Sequence, residues 1–177
     1  NELENRGHAE FIKDLSALPR PSYHLIDYLS YINQYNNRKT VDQPPAYPYA
    51  RIVTSRGCPE KCSFCQVPSL QGSYFRWRSP EHVCDEIEWL KKEYGIKAIF
   101  WDDDNLLTNT KRAKALFRMM IDKGLAMRWV YSCTAVFRLD NDLVDLMVES
   151  GCEAVNIAIE SGTERVTSDI VLKPLDF

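Results

Sequence analysis

Three cysteines, Cys58, Cys62 and Cys65, stand in the stretch TSRGCPEKCSFC at the spacing C-x3-C-x2-C. A thiolate is both a nucleophile and a soft metal ligand, so three on one short loop suggest a metal before they suggest disulfides. The chain's other cysteines, Cys84, Cys133 and Cys152, are scattered singly through apolar patterns and read as small buried residues. A structural zinc site takes four Cys or His ligands, and the nearest further candidates, His82 and Cys84, fall inside a segment with strong helical signals. A thioredoxin-like pair could use Cys62 and Cys65, yet Cys58 is then unexplained and no helix is expected directly after Cys65. A cubane iron–sulfur cluster is the stronger reading. Three thiolates on one loop can hold it, and the iron left without a protein ligand is free to bind a cofactor or substrate.

Other polar residues compete for a role. Asp102, Asp103 and Asp104, followed by Asn105, come directly after the apolar run IKAIFW. Successive carboxylates disfavour one another's ionisation unless a cation is near; the plainer alternative is a polar turn with a capping side chain. Glu160, Ser161 and Gly162 follow the run AVNIAI in the same way, and a glutamate there could accept hydrogen bonds from a diol or an ammonium group. Gly162 fits a tight turn. Arg56 and Lys61 flank the thiols, where a cation would favour reduction of an anionic cluster, or they are ordinary surface residues. No acid–base pair is evident, since His8, His24 and His82 all lie away from these positions.

The elements that must carry these groups alternate. RIVTS, 51–55, is a short β-branched strand candidate. In SPEHVCDEIEWLKKEYG, Ser79 can cap a helix and Pro80 fits its first position; Val83, Ile87, Leu90 and Tyr94 share one face, and Gly95 can end it. IKAIFW reads as the second strand. A helix comes next at about 109–123 with Ala113, Leu116, Phe117, Met120 and Ile121 inward and Gly124 as its stop. RWVYS is the third strand, DNDLVDLMVESG a helix from Asp140 to Gly151, and AVNIAI the fourth strand. Units of this kind imply right-handed βαβ crossovers, a parallel sheet and few hairpins, in either a doubly wound sheet or a barrel. The cysteine loop, DDDN, CT and ESG each come after the carboxyl end of a strand, the edge where both sheet types bind ligands.

Residues 1–50 differ from the rest of the chain. They hold five of the nine prolines and six of the nine tyrosines, with room for a short helix only at about 22–34, and read as a lead-in that packs on the next domain or links it to another. The whole chain of 177 residues is 45% hydrophobic and 27% charged, the make-up of a globular domain. Its net charge of −3 exerts no general pull on nucleic acid, and YFRWR at 74–78 is the densest basic cluster. No run approaches the roughly 20 apolar residues of a membrane span, and no targeting segment is visible, which makes a cytoplasmic location the default.

The motif resembles the signature of the radical S-adenosylmethionine (radical SAM) superfamily, C-x3-C-x-aromatic-C, matched by Cys58, Cys62, Phe64 and Cys65. The resemblance covers 51 to about 173. It implies an α/β fold, a partial TIM-type (βα) barrel with outer helices, here truncated after its fourth strand. It also implies a [4Fe-4S] cluster whose unique iron chelates the amino and carboxylate groups of S-adenosylmethionine (SAM) and whose electron cleaves SAM to methionine and a 5′-deoxyadenosyl radical. A finer resemblance is to the cobalamin-binding branch, which includes magnesium-protoporphyrin monomethyl ester oxidative cyclase and methyltransferases. It is carried by LPRPSYHLIDY, RWRSPEHVCDEIEWL, FWDDDNLLTN and GCEAVNIAIESGTERV. That resemblance implies SAM contacts at Phe64, Asp102, Asp103, Asp104, Glu160 and Ser161, with Lys173 pairing the methionine carboxylate. The D-x-H-x-x-G cobalamin motif does not occur, so cobalamin would be held by a domain ahead of residues 51–177, with 1–50 as the linking segment. The implied activity is methyl transfer or oxidative cyclisation of a small organic molecule, a tetrapyrrole among the candidates, with a low-potential donor such as flavodoxin or ferredoxin. The alternatives are a methylthiotransferase-like enzyme acting on RNA or protein, and an iron–sulfur domain for electron transfer or assembly.

Overall fold

The computed structural model describes residues 9–33 and 45–175. The rest of the lead-in, with the NNRK run and Pro44, lies outside the described residues. Four parallel strands form the main sheet: β1 (Tyr49–Ile52), β4 (Ala98–Trp101), β5 (Arg128–Thr134) and β6 (Cys152–Ile157), adjacent in that order. Neighbours in space are neighbours in sequence, so the strand order has no reversal of the doubly wound kind. This is the arrangement of an unclosed (βα) barrel.

Three helices connect the strands and cover one face. In α3 (Pro80–Tyr94) the Ser79 hydroxyl accepts from the His82 amide at 3.1 Å, and Gly95 ends the helix in a left-handed conformation. α4 (Thr110–Asp122) is capped by Asn109 and α5 (Asn141–Ser150) by Asp140. Their apolar stripes meet the outward residues of the strands: Val83, Ile87, Leu90, Leu116, Phe117 and Leu143 pack with Ile52, Ile99, Trp101, Trp129 and Tyr131. Trp129 stacks on Phe117 at 5.2 Å and 10° and meets Trp101 edge-on at 6.2 Å.

The opposite face is filled by the lead-in. The helix α1 (Tyr28–Asn33) brings Tyr28 and Ile32 against Tyr49, Ala98, Phe100 and Val130, and the Tyr28 hydroxyl donates to the Tyr49 carbonyl at 3.2 Å. Alternation along a strand explains the split: Phe100 faces the lead-in while its neighbours Ile99 and Trp101 face the helices.

Three features depart from the sequence expectations. The first strand starts at Tyr49 and stops at Ile52, because Ser55–Arg56 (β2) turns away and pairs antiparallel with Arg76–Trp77 (β3). A five-residue helix, α2 (Val67–Gln71), does come after the cysteine loop. The third strand runs on to Thr134 and its pairing with β6 is irregular: Tyr131 faces Val155 while Thr134 faces Ile157. Three steps on β5 therefore match two on β6, which is a β-bulge at Ser132–Cys133.

Candidate functional site

The loop Gly57–Cys65 leaves β2 at the carboxyl end of the sheet and is tied to other loops there. The Gly57 amide donates to Asp104 Oδ2 at 3.0 Å, and Arg138 donates to Glu60 Oε1 at 2.5 Å. The Ser63 amide and hydroxyl donate to the carbonyls of Val171 and Ile170 at 3.0 and 2.6 Å. These bonds join the loop to the segments after β4, β5 and β6. As a result Cys58, Cys62 and Cys65 line one cavity of about 140 Å³.

Three thiols in one cavity wall are a donor set that a cluster can take. Among the described residues no group of three or more His, Cys, Asp or Glu side chains is gathered tightly enough to hold one metal ion. A cubane, by contrast, needs its thiolates on separate irons. Two donors already face sulfur: Asn105 Nδ2 lies 3.7 Å from Cys58 Sγ and the Val67 amide 3.4 Å from Cys65 Sγ. Such bonds recur at cluster thiolates and tune their potential. Burial pushes the Cys58 and Cys62 thiols up, so the unligated pocket favours protonated sulfur and a bound iron would reverse that. Two buried oxygens in the same wall, Asn105 Oδ1 and Thr134 Oγ1, have no hydrogen-bond partner. In a native protein such atoms call for a ligand or water.

The structure divides the other expected site residues. Phe64, Asp104, Glu160 and Lys173 line the cavity with the thiols. Lys173 donates to Glu160 Oε1 at 3.0 Å and to the Ala158 carbonyl, and Glu160 sits in the left-handed region at φ 69°, uncommon for a residue with a side chain. Asp102 lies outside the wall in a two-bond pair with Arg51, at 2.7 and 3.0 Å. Ser161 also lies outside it, its hydroxyl accepting from the Thr163 amide at 3.1 Å. Arg56 and Lys61 are exposed and likewise outside it.

Asp103 is buried beneath the site. Its Oδ1 accepts from the Thr54 amide and hydroxyl at 3.0 and 2.8 Å and from the Ser55 hydroxyl, so it pins the end of β1 to the start of β2. Burial pushes its carboxyl up to about 6, against the pull of Arg112 and those donors; burial in turn lowers Arg112 to about 10. Arg112 donates to the carbonyls of Thr54 and Arg78, fixing the same corner from below.

Sequence alone assigned no contact to Asn105, Cys133 or Thr134. All three line the cavity. Cys133 is exposed there and not a buried core residue. The signal available was position: CT and DDDN both come after a strand's carboxyl end.

A model of the radical SAM superfamily matches residues 52–176. Cytidylyl-2-hydroxyethylphosphonate methyltransferase of Streptomyces wedmorensis is 37% identical over 165 residues, 92% of this chain and 30% of the relative. Bacteriochlorophyllide d C-12(1)-methyltransferase of Chlorobaculum tepidum is 30% identical over 126 residues, 68% of this chain and 27% of the relative. Among solved structures, the radical SAM methyltransferase TsrM of Kitasatospora setae, with tryptophan and the SAM analogue aza-SAM bound, matches at a TM-score of 0.62. It is 26% identical, over 68% of this chain and 23% of its own. A second structure of TsrM holds cobalamin and a [4Fe-4S] cluster; it is 27% identical at a TM-score of 0.56, over 62% of this chain and 22% of its own. The chain spans about 30% of the length of the curated relatives it matches.

Proposed function

The chain belongs to the radical SAM superfamily, and from that premise we propose that it is the cluster-binding part of a cobalamin-dependent enzyme that methylates a small organic molecule. The observation that carries the reading is the convergence of Cys58, Cys62 and Cys65 on one cavity at the carboxyl ends of the strands, with Glu160 and Lys173 in the same lining. A cluster held by Cys58, Cys62 and Cys65 would supply the electron for reductive cleavage of SAM. The chain's own residues bind and orient. The three thiols hold the iron, and Asn105 and the Val67 amide donate to sulfur. The Lys173 ammonium balances Glu160 and is placed to meet a carboxylate, while Glu160 offers an acceptor to a diol or ammonium. Phe64 gives the apolar wall for an aromatic base. In this reading Asp104 faces the cofactor, whereas Asp102, Asp103 and Ser161 position the loops that do. The protein supplies binding and electrostatics and the cofactors supply the reactive species.

Methyl transfer is favoured over ring formation because both curated methyltransferases and TsrM bear that activity in their names, though on different substrates. Within small organic substrates, a tetrapyrrole is the finer candidate, supported by the bacteriochlorophyllide enzyme. A flavodoxin or ferredoxin would deliver the electron. Among the described residues no helix is long and apolar enough to cross a membrane. The free thiols of the site fit a reducing compartment such as the cytoplasm.

The test is anaerobic reconstitution of the full reading-frame product. About four irons and four sulfides per chain are expected, lost when Cys58, Cys62 and Cys65 are replaced together by Ala, and 5′-deoxyadenosine should form with SAM and a low-potential reductant. Zinc alone, or a cluster that survives the triple replacement, overturns the assignment. Failure of the full-length protein to bind cobalamin overturns the branch.

A further inference from the structure

A fourth thiol shares the cavity with the three of the motif. Cys133 stands near the carboxyl end of β5, and simple alternation would put it on the face of Trp129 and Tyr131, which look into the helix-covered core. The bulge at Ser132–Cys133 breaks that alternation. Cys133 emerges instead in the wall that holds Cys58, Cys62, Cys65, Asp104 and Lys173. Bulges of this kind re-aim side chains beside active sites.

A cysteine alone would be weak ground, and two further observations mark the place as built for a ligand. Thr134, next in the chain, is 1% exposed and its Oγ1 is buried without a partner; Asn105 is 5% exposed and its Oδ1 is likewise unpartnered. Both residues line the cavity beside Cys133.

We propose that Cys133 is a displaceable fourth ligand of the cluster: its sulfur binds the open iron when SAM is absent and yields that iron when SAM arrives. The exchange balances without any redox change. The thiol loses its proton as the sulfur–iron bond forms, and regains a proton when the amino and carboxylate groups of SAM take the iron. A protected resting state results, because a three-thiolate cluster with a bare iron is the form that sheds that iron on oxidation.

This inference rests on the cluster assignment made under the proposed function, and the experiment separates the two. The full reading-frame product and its Cys133→Ala and Cys133→Ser variants are reconstituted anaerobically, and iron is counted first. A wild type without a cluster overturns both readings. With clusters in hand, the electron paramagnetic resonance spectrum of the reduced protein without SAM should differ between wild type and Cys133→Ala, and the two spectra should converge when SAM is added. Brief ferricyanide oxidation should convert more of the variant than of the wild type to the three-iron form. If the thiol holds the iron in nine molecules of ten, SAM should bind the variant about tenfold more tightly. Cys133→Ser should lie between the two. Identical spectra and identical SAM affinity overturn the role. So does loss of iron from Cys133→Ala to the level of a Cys58→Ala variant, since a displaceable ligand is not required for assembly.

Discussion

Gly57→Ala tests whether the backbone just before Cys58 is held by its surroundings. Gly57 has φ 82°, and a methyl group there would run into the carbonyl oxygens of Tyr74, Gly72 at 2.9 Å and Gln71 at 3.2 Å. All three are main-chain atoms and none can swing aside as a side chain would. Gly95 makes the matched control, with φ 61° and nothing within 4 Å of the added carbon. Each substitution forces an alanine into the left-handed region at about 1–2 kcal/mol. Gly57→Ala adds overpacking of about 1–3 kcal/mol, so the expected loss is roughly 2–5 kcal/mol against about 1–2 kcal/mol for Gly95→Ala. Urea unfolding of the unreconstituted proteins reads this difference. The strain has a functional side as well: if residue 57 retreats from the carbonyls it gives up its bond to Asp104 and takes Cys58 with it. Iron content after reconstitution should therefore drop in Gly57→Ala and hold in Gly95→Ala. Equal stability losses together with equal iron contents would refute the reasoning.

Asp103→Asn should flatten the pH dependence of stability. The folded carboxyl is pushed up to about 6 chiefly by burial, above its ordinary 3.8, so the folded state binds that proton more tightly than the unfolded. The resulting stabilisation is full below pH 3.8 and lost as pH rises through 6; its size is up to about 3 kcal/mol, and denaturation curves at several pH values that show the same slope for wild type and variant would contradict it. Trp129→Ala should cost about 3–5 kcal/mol, since the residue is fully buried, stacks on Phe117 and donates to Ser150. Its iron content should be unchanged because it faces away from the cavity; a loss below 1 kcal/mol in thermal unfolding, or a loss of iron, would count against the packing described.

What could be read in the sequence was whatever repeats locally. The helix over 80–94 announces itself through Ser79, Pro80, an apolar stripe and Gly95, all within its own span. The βα alternation put the cysteine loop, DDDN, CT and ESG at the carboxyl edge of the sheet, where the fold also has them. The β2–β3 ribbon was not legible, because two residues on each side carry no periodic pattern. Nor was the burial of Asp103, whose environment joins Thr54, Ser55 and Arg112 from distant parts of the chain. In the acidic run three adjacent carboxylates meet three fates: Asp102 pairs with Arg51, Asp103 goes under the sheet end, and Asp104 reaches the cavity. Adjacency in sequence hides this, since neighbouring side chains on extended backbone point in different directions. The bulge that delivers Cys133 depends on the count of residues in β6, and no inspection of β5 alone reveals it.

The lead-in that fills the inner face of the sheet bears on how this enzyme class can vary. Tyr28 and Ile32 cover that face of β1, β4 and β5 by packing with Tyr49, Ala98, Phe100 and Val130. The superfamily match begins at Ile52, inside β1, and leaves these two residues out. The span of the family model is thus shorter than the part of the chain that packs on this sheet. Residues 28 and 32 line no part of the cysteine cavity, yet they cover the sheet whose strand ends carry its loops. A change of side-chain size at position 28 or 32 would act on the packing of that sheet face while the sequence of the cysteine loop stays unaltered.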